Sequence, residues 1–224
     1  MNIQIIGNGA FGSFLREWLS STVYFEVVNE AHDVILAVPI SAYREVGLAN
    51  TSKHLINVCS VQRPSTDILL NITGNVTSIH PLFGARTPPD KRRSILTRRC
   101  YTASEDNFLQ RFSQCCPMET IGPDGKVFTV YSHDELMFKT HYQALMGATM
   151  LKQFVDRATD VPDEFIPQSF RLMREFVKTM EDMPAGTVES ILANPFAKQP
   201  PHFQSQIMAE PWAVEKEPDA PCPS

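Results

Sequence analysis

No apolar stretch in this chain approaches the roughly 18 residues that a membrane-spanning helix needs, so no membrane partner is expected. The five cysteines, at positions 59, 100, 115, 116 and 222, are odd in number and show neither CxxC nor Cys/His spacing. That argues against a disulfide framework and a metal site, and predicts reduced thiols in a cytoplasmic protein. A basic excess is missing too. The 20 Lys and Arg against 25 Asp and Glu leave a net charge of −5, which speaks against nucleic acid as a partner. The opening Met1-Asn2-Ile3-Gln4 has no basic n-region and no cleavage site, so no secretory leader is expected. No internal repeat is visible.

What is present is ordinary globular material. Apolar residues make up 43% and charged residues 20% of 224, and a chain of this length buries about 70% of its unfolded surface without staples. The hydrophobic period divides it into three parts. Over 1–130, short apolar runs alternate with helical or loop segments: Ile3–Ile6, Val23–Val28, Val34–Val38, His54–Val58, Val76–His80, Ser94–Thr97 and Lys126–Val130 are the expected strands. Near-continuous runs such as Val34–Val38 suit strands covered on both faces. Strands joined by crossovers predict an α/β fold with a mostly parallel, Rossmann-type sheet. Over 131–196 the period turns helical. Ser132–Glu135 reads as a capping box opening a helix to about Arg157, a second helix starts near Pro167, and a third covers Thr187–Ala193. These helices form a small all-helical C-terminal domain that cannot bury both faces alone and must pack on the first domain, on a partner subunit or on both; a homodimer through it is expected. Residues 197–224 form a Pro-rich tail in which Phe203, Ile207 and Trp212 are the candidates to dock on the body.

Gly7-Asn8-Gly9-Ala10-Phe11-Gly12 is a GxGxxG turn with a strand before it and a helix after it. That context makes it a dinucleotide fingerprint: one glycine for the turn, one for close approach of a pyrophosphate, one for helix–strand packing. The cofactor expected from it is NAD or NADP. An acid is expected about 20 residues on, at the end of the second strand; Glu30 is the candidate and Asn29 its rival. No Lys or Arg occurs between Arg16 and Arg44, so no cation for a 2′-phosphate is offered there, a lean towards NAD. The third strand begins almost at once, which leaves no room for a crossover helix and predicts a thin adenine side.

Three strand ends carry polar groups towards the carboxyl edge, where open α/β sheets bind ligands: Val38-Pro39, then Cys59-Ser60, then His80-Pro81. A histidine fixed there by a following proline is a candidate general base.

Taken in order, the GxGxxG turn, the Asp33–Pro39 strand, Ser60, the His80–Gly84 segment HPLFG and His133-Asp134 opening the helices resemble prephenate and arogenate dehydrogenases. The resemblance covers roughly 2–195. It implies NAD(P)-dependent oxidative decarboxylation of prephenate or arogenate in tyrosine biosynthesis, with His80 as base, Ser60 as its orienter and His133 as a substrate-side histidine. There are departures. Gln62 stands where the family commonly has Lys, Asn57 where it often has Asp, Leu145 where a family histidine falls, and Thr179 where an arginine grips the ring carboxylate. His141, one turn before Leu145, is the candidate replacement, and Arg171, Arg174 or Lys178 the candidate cations. Arg86, after HPLFG, is a further candidate for a small-molecule carboxylate. These departures keep two other readings open: a dinucleotide-binding regulator without catalysis, and a dehydrogenase or reductase of another small carboxylate.

Overall fold

The computed structural model describes residues 1–198; the expected tail, with Phe203, Ile207 and Trp212, lies outside the described residues. Strands β1 (Asn2–Ile6), β2 (Glu26–Val27), β3 (Asp33–Leu36), β4 (His54–Asn57), β5 (Val76–Pro81), β6 (Ser94–Arg98) and β7 (Met118–Glu119) form one sheet. Their order is β2-β1-β3-β4-β5-β6-β7. Neighbours run parallel except β5 and β6, which is the Rossmann-type sheet that the sequence predicts.

Both faces of the central strands are covered, and this explains their unbroken apolar runs. Ile3, Ile5, Ile35, Ile56 and Ile79 pack on one side against Leu15 and Leu19 of α1 (Ala10–Ser20) and Phe108 and Phe112 of α4 (Ala103–Cys115). On the other side Val34, Leu36, Leu55 and Val76 meet Tyr43 of α2 (Tyr43–Leu48) and Leu69 of α3 (Gln62–Leu70). The short link from β2 to β3 contains no helix, as the spacing requires, and carries the chain to the other side of β1.

The remaining helices are α5 (Val130–Met137), α6 (Gln143–Asp156), α7 (Gln168–Glu181) and α8 (Ala185–Leu192). Four expectations are corrected here. Lys126–Val130 is not a strand: Val127 makes one bridge to Ile121, Phe128 is buried with Ile95 and Met137, and Val130 already begins α5. The capping box lies earlier than Ser132–Glu135. Thr129 is the N-cap, its hydroxyl accepting the Ser132 amide at 3.1 Å while the Ser132 hydroxyl accepts the Thr129 amide at 3.0 Å. The helix to Arg157 is interrupted by a π-helical turn, Phe138–Tyr142. Of the strand expected at Val23–Val28 only Glu26–Val27 forms, and Val23 is exposed.

A buried polar chain fastens the amino edge of the sheet. His54 Nδ1 lies 2.7 Å from Asp33 Oδ1, and its Nε2 lies 2.8 Å from the Thr77 hydroxyl. That hydroxyl donates to Glu105 of α4. Glu105 also accepts the amides of Cys100 and Tyr101 at 2.8 and 2.7 Å and faces Arg99. Burial alone would raise the Glu105 carboxyl, but the Thr77 hydroxyl, the two amides and Arg99 outweigh it and hold it below its ordinary value. In Asp33, likewise, burial is outweighed by bonds from His54 and Ser104. Carboxyls depressed by folding stabilise the fold above the ordinary carboxylate range, and the contribution is lost as pH falls through their lowered values. Glu105→Gln is therefore expected to cost about 2–3 kcal/mol at neutral pH. Urea titrations of both forms should converge below about pH 4; equal stability at pH 7 would refute this role.

Candidate active site

Register brings the expected site residues to one edge. Ile6, Leu36, Asn57 and Ser78 are aligned through the parallel pairs, so the segments that follow them, carrying Asn8, Val38, Cys59 and His80, leave the sheet at one edge. His80 and the glycine turn thus share the carboxyl edge, three inter-strand steps or about 14 Å apart. A bulge between β5 and β6 at Ser78/Ile79 directly precedes His80, a device that re-aims side chains beside functional sites.

The glycine turn divides into positions that the protein needs and one that it does not. Gly7 has φ +124°, and a Cβ there would sit 2.0 Å from the Ala37 carbonyl oxygen; at Gly12 it would sit 2.3 Å from the Gly7 oxygen. Neither tolerates a side chain. Gly9 has φ −71°, and a Cβ there meets nothing within 4 Å. Conformation and packing explain two glycines and leave the third free for an approaching group. Ala10 and Phe11 open α1, Asn8 lines a cavity of about 460 Å³ together with Asn29, and Glu30 is exposed outside that lining. Val38 and Pro39 follow β3, and Pro39 packs beneath Gly186 of α8, where a Cβ would lie 3.3 Å from its ring.

His80 is 2% exposed and belongs to a relay that spans the chain. Its Nδ1 lies 2.8 Å from His133 Nε2, and His133 Nδ1 lies 2.9 Å from Asp134 Oδ1. Asp134, on α5, also accepts the first two amides of α3: Gln62 at 2.7 Å on Oδ1 and Arg63 at 2.8 Å on Oδ2. These amides have no partner within their own helix, and the helix N-terminus favours a carboxylate. With both oxygens accepting, His133 Nδ1 donates to Asp134, and in the neutral form of His133 its Nε2 is the acceptor. His80 Nδ1 therefore donates to His133, and the lone pair of neutral His80 sits on Nε2, which has no hydrogen-bond partner among the described residues. Burial pushes the His80 imidazole well below its ordinary value, and His133 and His141 add to this.

The π-helical turn supplies the third imidazole. His141 lies edge-on to His80 with ring centroids 5.7 Å apart, and its Nδ1 is buried without a partner. Burial first, then His133, lowers its pKa. Such turns are frequent at functional sites, and this one occupies the turn before Leu145, itself buried in α6.

Other expectations fare differently. His133 is buried, with one ring nitrogen against His80 and the other against Asp134, which leaves it no free nitrogen for a ligand. Ser60 is half-buried in the turn after β4, at the same carboxyl edge as His80. Arg86 is 78% exposed and lies 3.6 Å from Asp182. Arg171 is tied to the carbonyls of Ile166 and Asp163, and Arg174 to Asp163 and the Ala158 carbonyl. Each of these cations thus has a protein partner of its own. Gln62 is fully buried: it donates to the carbonyls of Cys59 and Ile79 and accepts from Thr97. Asn57 binds Tyr43, Ser65, Thr66 and Ser78 and holds the Cys59 amide, which fixes the turn carrying Ser60. Burial raises the Cys59 thiol, so it is no nucleophile. From the sequence His133 is expected on the substrate side, with no role for Asp134; the adjacency of the acid to His133 was the available signal for the relay.

No family model and no curated protein matches the chain by sequence. Solved structures share its fold. A protein of Corynebacterium glutamicum assigned as a prephenate dehydrogenase superposes over 93% of this chain and 78% of its own, with TM-score 0.65 and 15% identity. Prephenate dehydrogenase from A. aeolicus, solved with hydroxyphenyl propionate and NAD+, covers 87% and 82%, with TM-score 0.63 and 15% identity. Arogenate dehydrogenase from Synechocystis covers 87% and 84%, with TM-score 0.51 and 14% identity.

Side-chain nitrogen NMR of the histidines tests the relay. His80 is expected to carry its proton on Nδ1 and to stay neutral as pH falls through the ordinary imidazole value of 6.5. A proton on Nε2, or titration at or above that value, would contradict the assignment.

Proposed function

We propose that the chain is an NAD(P)-dependent dehydrogenase in which His80 Nε2 accepts the proton of a substrate hydroxyl. The observation that carries this reading is the relay itself: it leaves one unpaired imidazole nitrogen, on an otherwise buried histidine, at the carboxyl edge shared with the glycine turn. The residues fit a dinucleotide, because Gly9 is required by neither conformation nor packing and the cavity beside it lies where an adenosine ribose would sit. Gly7 to Gly12 would hold the pyrophosphate on the α1 amides, with Val38 and Pro39 along the nicotinamide. When bound, the nicotinamide supplies the hydride acceptor.

The chain's own part is orientation and proton removal. His80 remains neutral at pH 7 because of its burial, so the base form is present when substrate arrives. On taking the proton, His80 donates from Nδ1 to His133, and the charge is answered through His133 by Asp134. The unpartnered Nδ1 of His141, beside His80, offers the substrate a further hydrogen bond. The helices from α5 onward thus form the substrate half.

The resemblance to prephenate and arogenate dehydrogenases makes those two compounds the first substrates to try, as the decarboxylating step towards tyrosine. A second reading, another small hydroxylated carboxylate, is favoured by the engagement of Arg86, Arg171 and Arg174 with protein partners, since a dianion buried without a cation is costly. The test is reduction of NAD+ and NADP+ on adding prephenate, arogenate or a panel of small hydroxy acids. His80→Ala is expected to lower turnover about a hundredfold or more with the fold retained, though at a lower melting temperature because it opens a cavity and leaves His133 Nε2 unpaired. Gly9→Ala is expected to weaken dinucleotide binding without unfolding the chain. Full turnover in His80→Ala, or no reduction with any compound, would overturn the reading.

The proposal extends to the assembly and the compartment. Met150 and Phe154, one turn apart on α6, are 67% and 55% exposed, and Leu172 on α7 is 55% exposed. Apolar exposure of this kind supports a homodimer through the helical part. The free cysteines at 59, 100, 115 and 116 suit the reducing cytoplasm. Light scattering should give a dimer that Phe154→Glu converts to monomer; a monomeric parent chain would refute it.

A further inference from the structure

The short β2 leaves a gap in the sheet, and a cation fills it. β2 pairs with β1 only at Asn2 and Ile3, and Ile3 O accepts the Val28 amide at 3.0 Å. Two residues on, Ile5 O faces the same side, where β2 has ended. Arg16 of α1 takes its place: Nη2 donates to Ile5 O and Nη1 to Gly7 O at 2.8 Å. A guanidinium carries five N–H donors; these two bonds leave three. Both bonds go to neutral carbonyls, whereas Arg63, Arg86, Arg99 and Arg174 each lie against a carboxylate. Arg16 also lines the cavity of about 460 Å³ between the glycine turn and the end of β2, together with Gly7, Asn8, Val27, Val28 and Asn29.

We infer that this cavity receives an adenosine ribose bearing a 2′-phosphate, with Arg16 as its charge partner, so that the chain prefers NADP(H) to NAD(H). The inference rests on the dinucleotide reading above and narrows it. Beside the end of β2, a carboxylate selects the free ribose diol and an arginine accommodates the phosphate. The acid expected there, Glu30, is exposed and lies outside the cavity lining, while Asn29 and Arg16 form part of it. No Lys or Arg lies between Arg16 and Arg44, which by itself leans towards NAD. The fold supplies the cation from α1 instead of from the loop after β2. Because two carbonyls already hold the guanidinium, little side-chain freedom is lost on binding, and a planar fork with free donors matches a phosphate monoester.

Calorimetry on the full chain tests this, with NADP+, NAD+, 2′,5′-ADP and 5′-ADP as probes. The unmodified chain is expected to bind NADP+ about tenfold or more tighter than NAD+, and 2′,5′-ADP should displace NADP+ far better than 5′-ADP does. Arg16→Gln should bring the NADP+/NAD+ ratio towards one, and Arg16→Lys should keep part of the preference. Equal binding of the two dinucleotides, or tighter NAD+, overturns the role of Arg16 and leaves the dinucleotide reading standing. Binding of neither dinucleotide sinks both. Should Arg16→Gln fail to fold for want of its bonds to Ile5 and Gly7, the ratio and the displacement measured on the unmodified chain still decide.

Discussion

The carboxylate of Asp134 receives the amides of Gln62 and Arg63, and the rest of the site is built outward from that junction. A buried carboxylate is expensive unless several donors answer it. Here two helix-terminal amides and one imidazole do so, which ties α5 to α3 across more than 70 residues of sequence. The backbone carbonyl of the same residue accepts from Asn194 at 2.9 Å, which draws the segment after α8 into the junction. The group that joins the helices to the sheet also fixes which nitrogen of His133 donates, and hence which nitrogen of His80 is free. Fold and proton direction are set by one interaction.

Burial has a second effect on the same pocket. His80 is pushed well below its ordinary value, and His141 is lowered as well, so two adjacent imidazoles are neutral near pH 7. A base weakened in this way would be poor at removing a proton from a resting alcohol. It is adequate if the hydroxyl becomes acidic only as hydride departs and the carbonyl forms, which is the step proposed here. The relay then carries weight at the moment when His80 becomes charged, because Asp134 stabilises through His133 the imidazolium that burial opposes. Positive charge gathered earlier in the pocket would oppose this step, and Arg86, Arg171 and Arg174 are held by protein partners of their own.

Features written in short sequence windows were legible before the fold was known. The glycine turn, the strand ends at Pro39, Ser60 and His80, and the missing crossover helix each depend on local spacing. The relay was not legible, because Asp134 and Gln62 meet only through packing of α5 on α3. The π-helical turn was not legible either: Phe138–Tyr142 lies inside a run of helical composition with no glycine or proline to mark the change. Lys126–Val130 misled for the opposite reason, since Phe128 is apolar to fill a pocket with Ile95 and Met137 and not to pair in a sheet. Arg171, on the strongly amphipathic α7, looked like a substrate cation in a linear reading, whereas the carbonyls of the preceding turn claim it.

The two ends of the proposed cofactor site are unequal, and one deletion in topology accounts for that. Passing straight from β2 to β3 removes a strand–helix unit from the adenosine side and leaves β3, β4 and β5 whole on the other. The chemistry side therefore keeps a rigid, doubly covered edge on which His80 is positioned within a continuous sheet. The adenosine side loses its acid to solvent and keeps an unfinished strand edge. An unfinished edge exposes carbonyl oxygens, and oxygen acceptors attract a donor-rich cation. Arg16 is thus first a repair of the sheet, closing Ile5 O and Gly7 O. The repair leaves a charge, with donors to spare, in the cavity that the shortened strand opened.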